Sequence, residues 1–176
     1  MAEQGACHGV ASALAYLAAL YEGLVSYNPF SLEPVPAVAR YWDVLEGGTL
    51  YRFHLRDSAR YWNGDPVRAS DFRNAWIALL DPALSAPYSS LLDIVKGAYE
   101  YRTGKTNDPD TVGIRVDSEE VLEVELTHPA EHFLKILCHH SFVPIHPSAL
   151  PRSDWSGDPS IRSEERRVGK ECRSRW

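Results

Sequence analysis

The chain has 176 residues, enough for one hydrophobic core and short for two full domains. Hydrophobic residues make up 44% and charged residues 24%, the balance of an ordinary globular domain. A formal net charge of −6 leaves nothing to neutralise phosphates, so nucleic acid is excluded as a natural partner.

The N-terminal stretch MAEQGACHGVASALAYLAAL has no basic n-region and does not read as a signal peptide. No apolar run approaches the roughly 18 residues that a transmembrane helix needs. Residues 11–22, ASALAYLAALYE, are rich in Ala and Leu without Pro or Gly, which predicts a helix ending at Gly23. LVSY follows as a short strand, and NPFSLEPVP reads as a Pro-punctuated connector. Residues 49–56, TLYRFHLR, alternate strictly, with Tyr51, Phe53 and Leu55 on one face and Arg52, His54 and Arg56 on the other. That pattern predicts a half-buried antiparallel strand paired with 42–46 through Gly47-Gly48.

The stretch ARYWNGDPVRASDFRNAW comes next. Asn63-Gly64 predicts a tight turn because both residues tolerate positive φ, and Pro66 aims the chain onward. From about Ala69 the pattern is helical, with Phe72, Trp76, Leu79 and Leu80 on one stripe and Asp71 in the first turn. Asp81-Pro82 ends the helix. SAPYSSLLDIVKGAYEYRTGK reads as two short helices broken at Gly97, and NDPDTVG as a loop. Two alternating strands follow, one burying Val112, Ile114 and Val116, the other Leu122, Val124 and Leu126, with SEE as the hairpin turn between them. PAEHFLKILCHH is a short amphipathic helix, and SFVPIHPSALP an extended exit. Helix, strands, helices, strand pair and helix make an α+β order without βαβ alternation.

The ordered motifs LYEGLV, EPVPAVARYW, YRFHLR, ARYWNGDPVRASDF, LLDP and SAPYSSLL carry a resemblance, and DPDTVGIRV, LEVELTHPAEHFLKIL and FVPIHPSAL continue it in order. Over roughly residues 11–150 the chain resembles the bacterial extracellular solute-binding proteins of oligopeptide and dipeptide ABC transporters (family 5). The resemblance implies a two-lobed periplasmic-binding-protein type II fold that closes over a peptide and delivers it to a membrane permease. It further implies a fragment: residues 1–27 as a truncated opening segment of lobe I, and 28–160 as the small subdomain of that lobe. The tail RSEERRVGKECRSRW departs from the family pattern, and 161–176 is expected to be non-native and disordered. It holds six Lys/Arg and three Glu, which leaves about −9 on the preceding 161 residues. The implied location is the periplasmic or extracellular face of the cytoplasmic membrane, with membrane contact only through a lipid anchor outside this chain.

Where the family has Thr, this chain has Arg68, which has no acceptor for a helix N-cap. The cap is therefore expected to be lost or moved to Ser70, at a cost of about 1 kcal/mol if lost. The resemblance places ligand contacts at Tyr88, as a phenol packing on the peptide, and at His139, lining the cavity. It also aligns His8, Gly9 and Val10 with a loop that pairs with an extended ligand in strand fashion. The bland readings are a packed aromatic, a solvated helix-end histidine and a frayed terminus.

His132, His139, His140 and His146 lack the HxxxH or HxH spacing of a zinc site, and Cys7, Cys138 and Cys172 form neither a CxxC pair nor a disulfide framework. The sequence implies no metal and no cofactor. A receptor for nickel or other metal chelates, using His139, His140 and His146, is the alternative within the same architecture. Glu119, Glu120, Glu123 and Glu125 fall on a turn and an outward strand face, which reads as solvated charge, and no GxSxG, P-loop or acid/base pair points to an enzyme. Trp42, Tyr51, Phe53, Trp62, Phe72 and Trp76 are expected to form core.

Overall fold

The computed structural model describes residues 22–149. The body of the helix expected over 11–22, the tail, His8 and Val10 lie outside the described residues.

Among the described residues, six strands and three α-helices follow in an α+β order. Val25–Tyr27 (β1) pairs antiparallel with Pro34–Pro36 (β2) in a two-stranded ribbon. The connector expected over 28–36 thus carries a strand. Its prolines oppose Val25 and Tyr27, on a short ribbon that can spare their missing N–H groups. Asn28 closes the intervening loop, its Oδ1 accepting the N–H groups of Phe30 (2.9 Å) and Ser31 (3.2 Å).

Ala39–Leu45 (β3) and Leu50–Leu55 (β4) form the expected antiparallel pair, with Trp42 opposite Phe53 and Leu45 opposite Leu50. The first strand starts at Ala39 rather than at 42, because a register shift between Ala39 and Tyr41 lets pairing continue past the irregular stretch. Glu46 occupies the connecting turn at φ 50°, a left-handed conformation that costs a side-chain-bearing residue about 1–2 kcal/mol. Glycine gives back about 0.5–1 kcal/mol of that in unfolded-chain entropy. We therefore expect Glu46→Gly to raise stability by about 0.5–1 kcal/mol, read as a higher urea midpoint at unchanged slope.

Residues 59–67 make a small hairpin, closed by bonds from Tyr61 N–H to the Asp65 carbonyl (2.8 Å) and from Gly64 N–H to the Tyr61 carbonyl (2.9 Å). The expected turn is present, with Gly64 at φ 90° and Asn63 outside the left-handed region. A three-residue loop needs one left-handed position, and the Asn63 side chain instead accepts the Asp65 N–H (3.0 Å). Trp62 at the tip is 97% exposed, so it is not core; the turn carries it beyond the reach of the sheet.

Ala69–Leu80 (α1) buries Ala69, Phe72, Ala75, Trp76 and Leu80. At its start the Arg68 side chain makes no cap bond, the first of the two expected outcomes. Half of the capping box survives: the Arg68 backbone N–H donates to the buried Asp71 carboxylate (3.0 Å). The reciprocal bond cannot form because a guanidinium accepts nothing. The Ala69 N–H is instead satisfied by the Glu119 carbonyl (2.8 Å), so a distant hairpin turn replaces the missing cap.

After Asp81 come a 3₁₀ turn at Ser89–Leu92, where the sequence pattern predicts an α-helix, and Ala98–Arg102 (α2), separated by left-handed Gly97. Ile114–Ser118 (β5) and Val121–Glu125 (β6) complete a four-stranded antiparallel sheet of order β3-β4-β6-β5, turning through Glu119-Glu120. Ile114, Leu122, Val124 and Leu126 are buried as expected, but Val116 is 39% exposed. It lies on the edge strand, where the register shifts between Val116 and Ser118. The outward acids are paired rather than simply solvated: Glu123 with Arg52, Glu125 with Lys96 and Arg115, Glu119 with Arg68. Such pairs are worth well under about 1 kcal/mol each and mainly neutralise the outer face.

Phe133–Leu137 (α3) packs Phe133 on Tyr51, ring centroids 4.9 Å apart. The core lies between the inner sheet face and the helices, where Trp76 makes edge contacts with Phe72 and Phe142. Leu24 and Val25 of the opening ribbon join the same cluster.

Candidate functional site

Two segments far apart in sequence converge on the site. The first is SAPYSS. Tyr88 stands at φ 66° immediately before the 3₁₀ turn, which fully buried Leu92 anchors in the core. Ser89 Oγ donates to the Ala86 carbonyl (2.9 Å) and Leu91 N–H to the Tyr88 carbonyl (3.0 Å), so the turn is braced on both sides. A tyrosine in the left-handed region is a strained arrangement, held only because the surrounding bonds determine it. The side chain is left 50% exposed.

The second segment follows α3. Phe133 and Leu137 bury the helix, and His139 leaves it in extended conformation with its N–H bonded to the Ile136 carbonyl (3.0 Å). His139 Nδ1 accepts the Ser141 N–H (3.3 Å), which leaves Nε2 as the protonated nitrogen of the neutral ring. Phe142 is buried, and its carbonyl accepts the Trp76 indole N–H (3.2 Å), so α1 fixes the height of this turn.

The Tyr88 and His139 rings lie 4.7 Å apart at 54°, and His139 and His140 lie 4.0 Å apart at 39°. Tyr88 also meets His140 edge-on at 6.0 Å, and Phe142 backs His139 at 6.0 Å. Burial, and secondly the neighbouring His140, hold the His139 imidazole below its ordinary range, so it is neutral at pH 7. Beside it, burial pushes the Cys138 thiol up to about 11, and its Sγ–H bonds the Leu134 carbonyl: a packing group, not a nucleophile. The cluster can stack on flat groups and hydrogen-bond a backbone amide or a polar side chain.

The fold thus brings together Tyr88 and His139, which the resemblance marks separately. The sequence marks His140 only as one of several histidines; the doublet in CHHS is its available signal, and the left-handed Tyr88 has none. His132 is an exposed residue at the start of α3. His146 is engaged elsewhere: its Nε2 meets Asp65 Oδ2 at 2.9 Å, its Nδ1 meets Ser148 Oγ at 2.7 Å, and its ring packs edge-on against Tyr61 at 4.9 Å. Tyr61 in turn donates to Asp71 (3.0 Å), and burial followed by that carboxylate raises its phenol far above the ordinary range. The His146 bond, then Asn63, holds the Asp65 carboxyl below its usual range. This second cluster ties the exit segment to the 59–67 hairpin. Among the described residues no three His, Cys, Asp or Glu side chains gather as a metal site, and no helix is long and apolar enough to cross a membrane.

Comparison with known proteins agrees with this architecture. Residues 33–166 match the family model of bacterial extracellular solute-binding proteins, family 5 Middle. The chain is 35% identical over 113 residues to the dipeptide-binding protein DppE of Bacillus subtilis, covering 64% of this chain and 21% of that protein. It is 34% identical over 135 residues to the periplasmic oligopeptide-binding protein OppA of Escherichia coli, covering 76% of this chain and 24% of that one. It superimposes on Haemophilus influenzae OppA, solved in complex with RPPGFSPFR, with a TM-score of 0.73 and 32% identity over 87% of this chain and 29% of that structure. The chain spans about a quarter of the length of the curated relatives it matches. The fold is therefore part of a periplasmic-binding-protein type II architecture, and the chain belongs to the bacterial extracellular solute-binding proteins, family 5.

Proposed function

We propose that this chain belongs to the peptide-capturing component of an ABC importer, in which two lobes close over an extended peptide and present it to a membrane permease. Residues 28–160 serve as the small subdomain of the first lobe, 1–27 as the end of that lobe's opening segment, and 161–176 as a non-native tail. The receptor works at the periplasmic or extracellular face of the cytoplasmic membrane, by binding and lobe closure rather than covalent chemistry. The peptide binding for which the dipeptide- and oligopeptide-binding relatives are named supports this reading. The observation that carries it to residues is the half-exposed Tyr88, held at φ 66° with its ring tilted against His139 at 4.7 Å, since strained residues cluster at ligand clamps.

The test is peptide affinity in the complete receptor that contains this segment. Tyr88→Ala is expected to weaken a bound tripeptide about tenfold, the worth of one aromatic contact, whereas Tyr88→Phe keeps most of it. Unchanged affinity in Tyr88→Ala would assign the residue to packing. Residues 1–176 alone are expected to bind a tri- to pentapeptide pool too weakly for calorimetry, and micromolar binding would overturn the two-lobe requirement.

A further inference from the structure

The site contains an element that neutral peptide capture does not require. His139 and His140 stand ring to ring, and among the described residues neither joins an ion pair with any carboxylate. The other two paired histidines described, His54 and His146, each have an aspartate within 3.0 Å. The ionisable groups that adjoin the pair through ring contacts or the chain are each other, the Tyr88 phenol and the un-ionised Cys138 thiol. Among the described residues the pair therefore has no counter-ion of the kind that a protonated imidazole seeks.

The two rings are not equivalent. His139 Nδ1 accepts the Ser141 N–H, so a proton on that nitrogen would set donor against donor. His139 is thereby kept neutral, and burial acts in the same direction. His140 has no such ring hydrogen bond among the described residues, so both of its nitrogens remain open to a ligand. At 4.0 Å two charged rings would repel each other, which disfavours a doubly charged pair.

We propose that the His139–His140 pair selects a carboxylate side chain on the bound ligand, with His140 as the specificity-determining residue, and that this preference strengthens as pH falls. The proposal rests on the peptide-capture reading and names the substrate class within it: acidic peptides over neutral ones, and neutral over basic. The sign follows from linkage. A carboxylate beside His140 stabilises the imidazolium, so the bound state holds a proton more tightly than the free state. Affinity for an acidic peptide then rises as pH drops through the imidazole range, and a glutamate side chain is still ionised at pH 5.5.

The experiment compares Ala-Glu-Ala with its isostere Ala-Gln-Ala on the complete receptor at pH 7.5 and 5.5, by calorimetry. The affinity ratio of Glu over Gln peptide is expected to grow about fivefold between these pH values, out of the about tenfold that raising one imidazole pKa by about one unit gives over its full titration. In His140→Phe, which keeps a ring against Tyr88 and His139 but takes no proton, the ratio should stay flat. A flat ratio in the wild type, or an equal rise in His140→Phe, overturns the proposal while peptide capture stands. Failure of both peptides to bind at both pH values overturns the peptide reading itself. Should His140→Phe fail to fold, histidine NMR titration of the wild type decides: saturation with Ala-Glu-Ala, and not with Ala-Gln-Ala, must raise the His140 pKa.

Discussion

Trp76→Ala should lower the unfolding free energy by about 3–5 kcal/mol, measured as a shift in the urea midpoint. The indole is fully buried at the centre of α1, with edge contacts to Phe72 and Phe142 at 6.2 and 6.0 Å. Truncation leaves a cavity between helix and sheet, and it orphans the Phe142 carbonyl that accepts the indole N–H. Trp76→Phe separates these terms. It refills most of the space but leaves the buried carbonyl unpaired, so about 1–3 kcal/mol should be lost. The same change has a functional readout. Phe142 closes the turn that presents His139 and His140, so Trp76→Ala should also shift their imidazole NMR signals. A loss below about 1 kcal/mol in Trp76→Ala would mean that this helix does not dock on the sheet as described.

Gly97→Ala should cost about 2–5 kcal/mol, unusually much for the addition of one methyl group. Gly97 lies at φ 73°, where an L side chain is strained, and a Cβ there would stand well inside contact distance of the Thr111 carbonyl oxygen. Backbone on both sides prevents relief: Lys96 N–H bonds the Glu125 carbonyl (2.9 Å), and Gly113 N–H bonds the Lys96 carbonyl (2.8 Å). The 95–97 segment is thus stitched between the start of β5 and the end of β6, and the added methyl must push one of those bonds apart. Gly64→Ala is the control. Gly64 shares the positive φ, but a Cβ added there would meet nothing within 4 Å, so only the strain of about 1–2 kcal/mol applies. Equal losses at the two positions would show that conformation alone, without the Thr111 contact, decides the effect.

Much of this molecule follows from short-range pattern. The alternation of Tyr51, Phe53 and Leu55 against Arg52, His54 and Arg56 predicts both the strand and its buried face, because side chains on a strand can only alternate. The Phe72/Trp76/Leu80 stripe, the break at Asp81-Pro82 and the turn after Ser118 are local in the same sense. The order of motifs is also enough to indicate the family.

Other features depend on groups that meet across the fold. Trp62 and Val116 look like core by composition, yet a hairpin tip and an edge-strand bulge carry them to solvent. The cap of α1 comes from Glu119, about fifty residues away, and no local motif encodes it. The acids of β6 are paired because Arg52 lies opposite Glu123 in the sheet register. Sequence alone determined the α+β class, the buried faces and the family, since each is a repeating local signal or an ordered set of motifs. Only tertiary structure decided that Tyr88 joins the His139–His140 doublet while His146 binds Asp65, because ring contacts at 4.7 and 6.0 Å between residues about fifty positions apart depend on how the helices pack on the sheet.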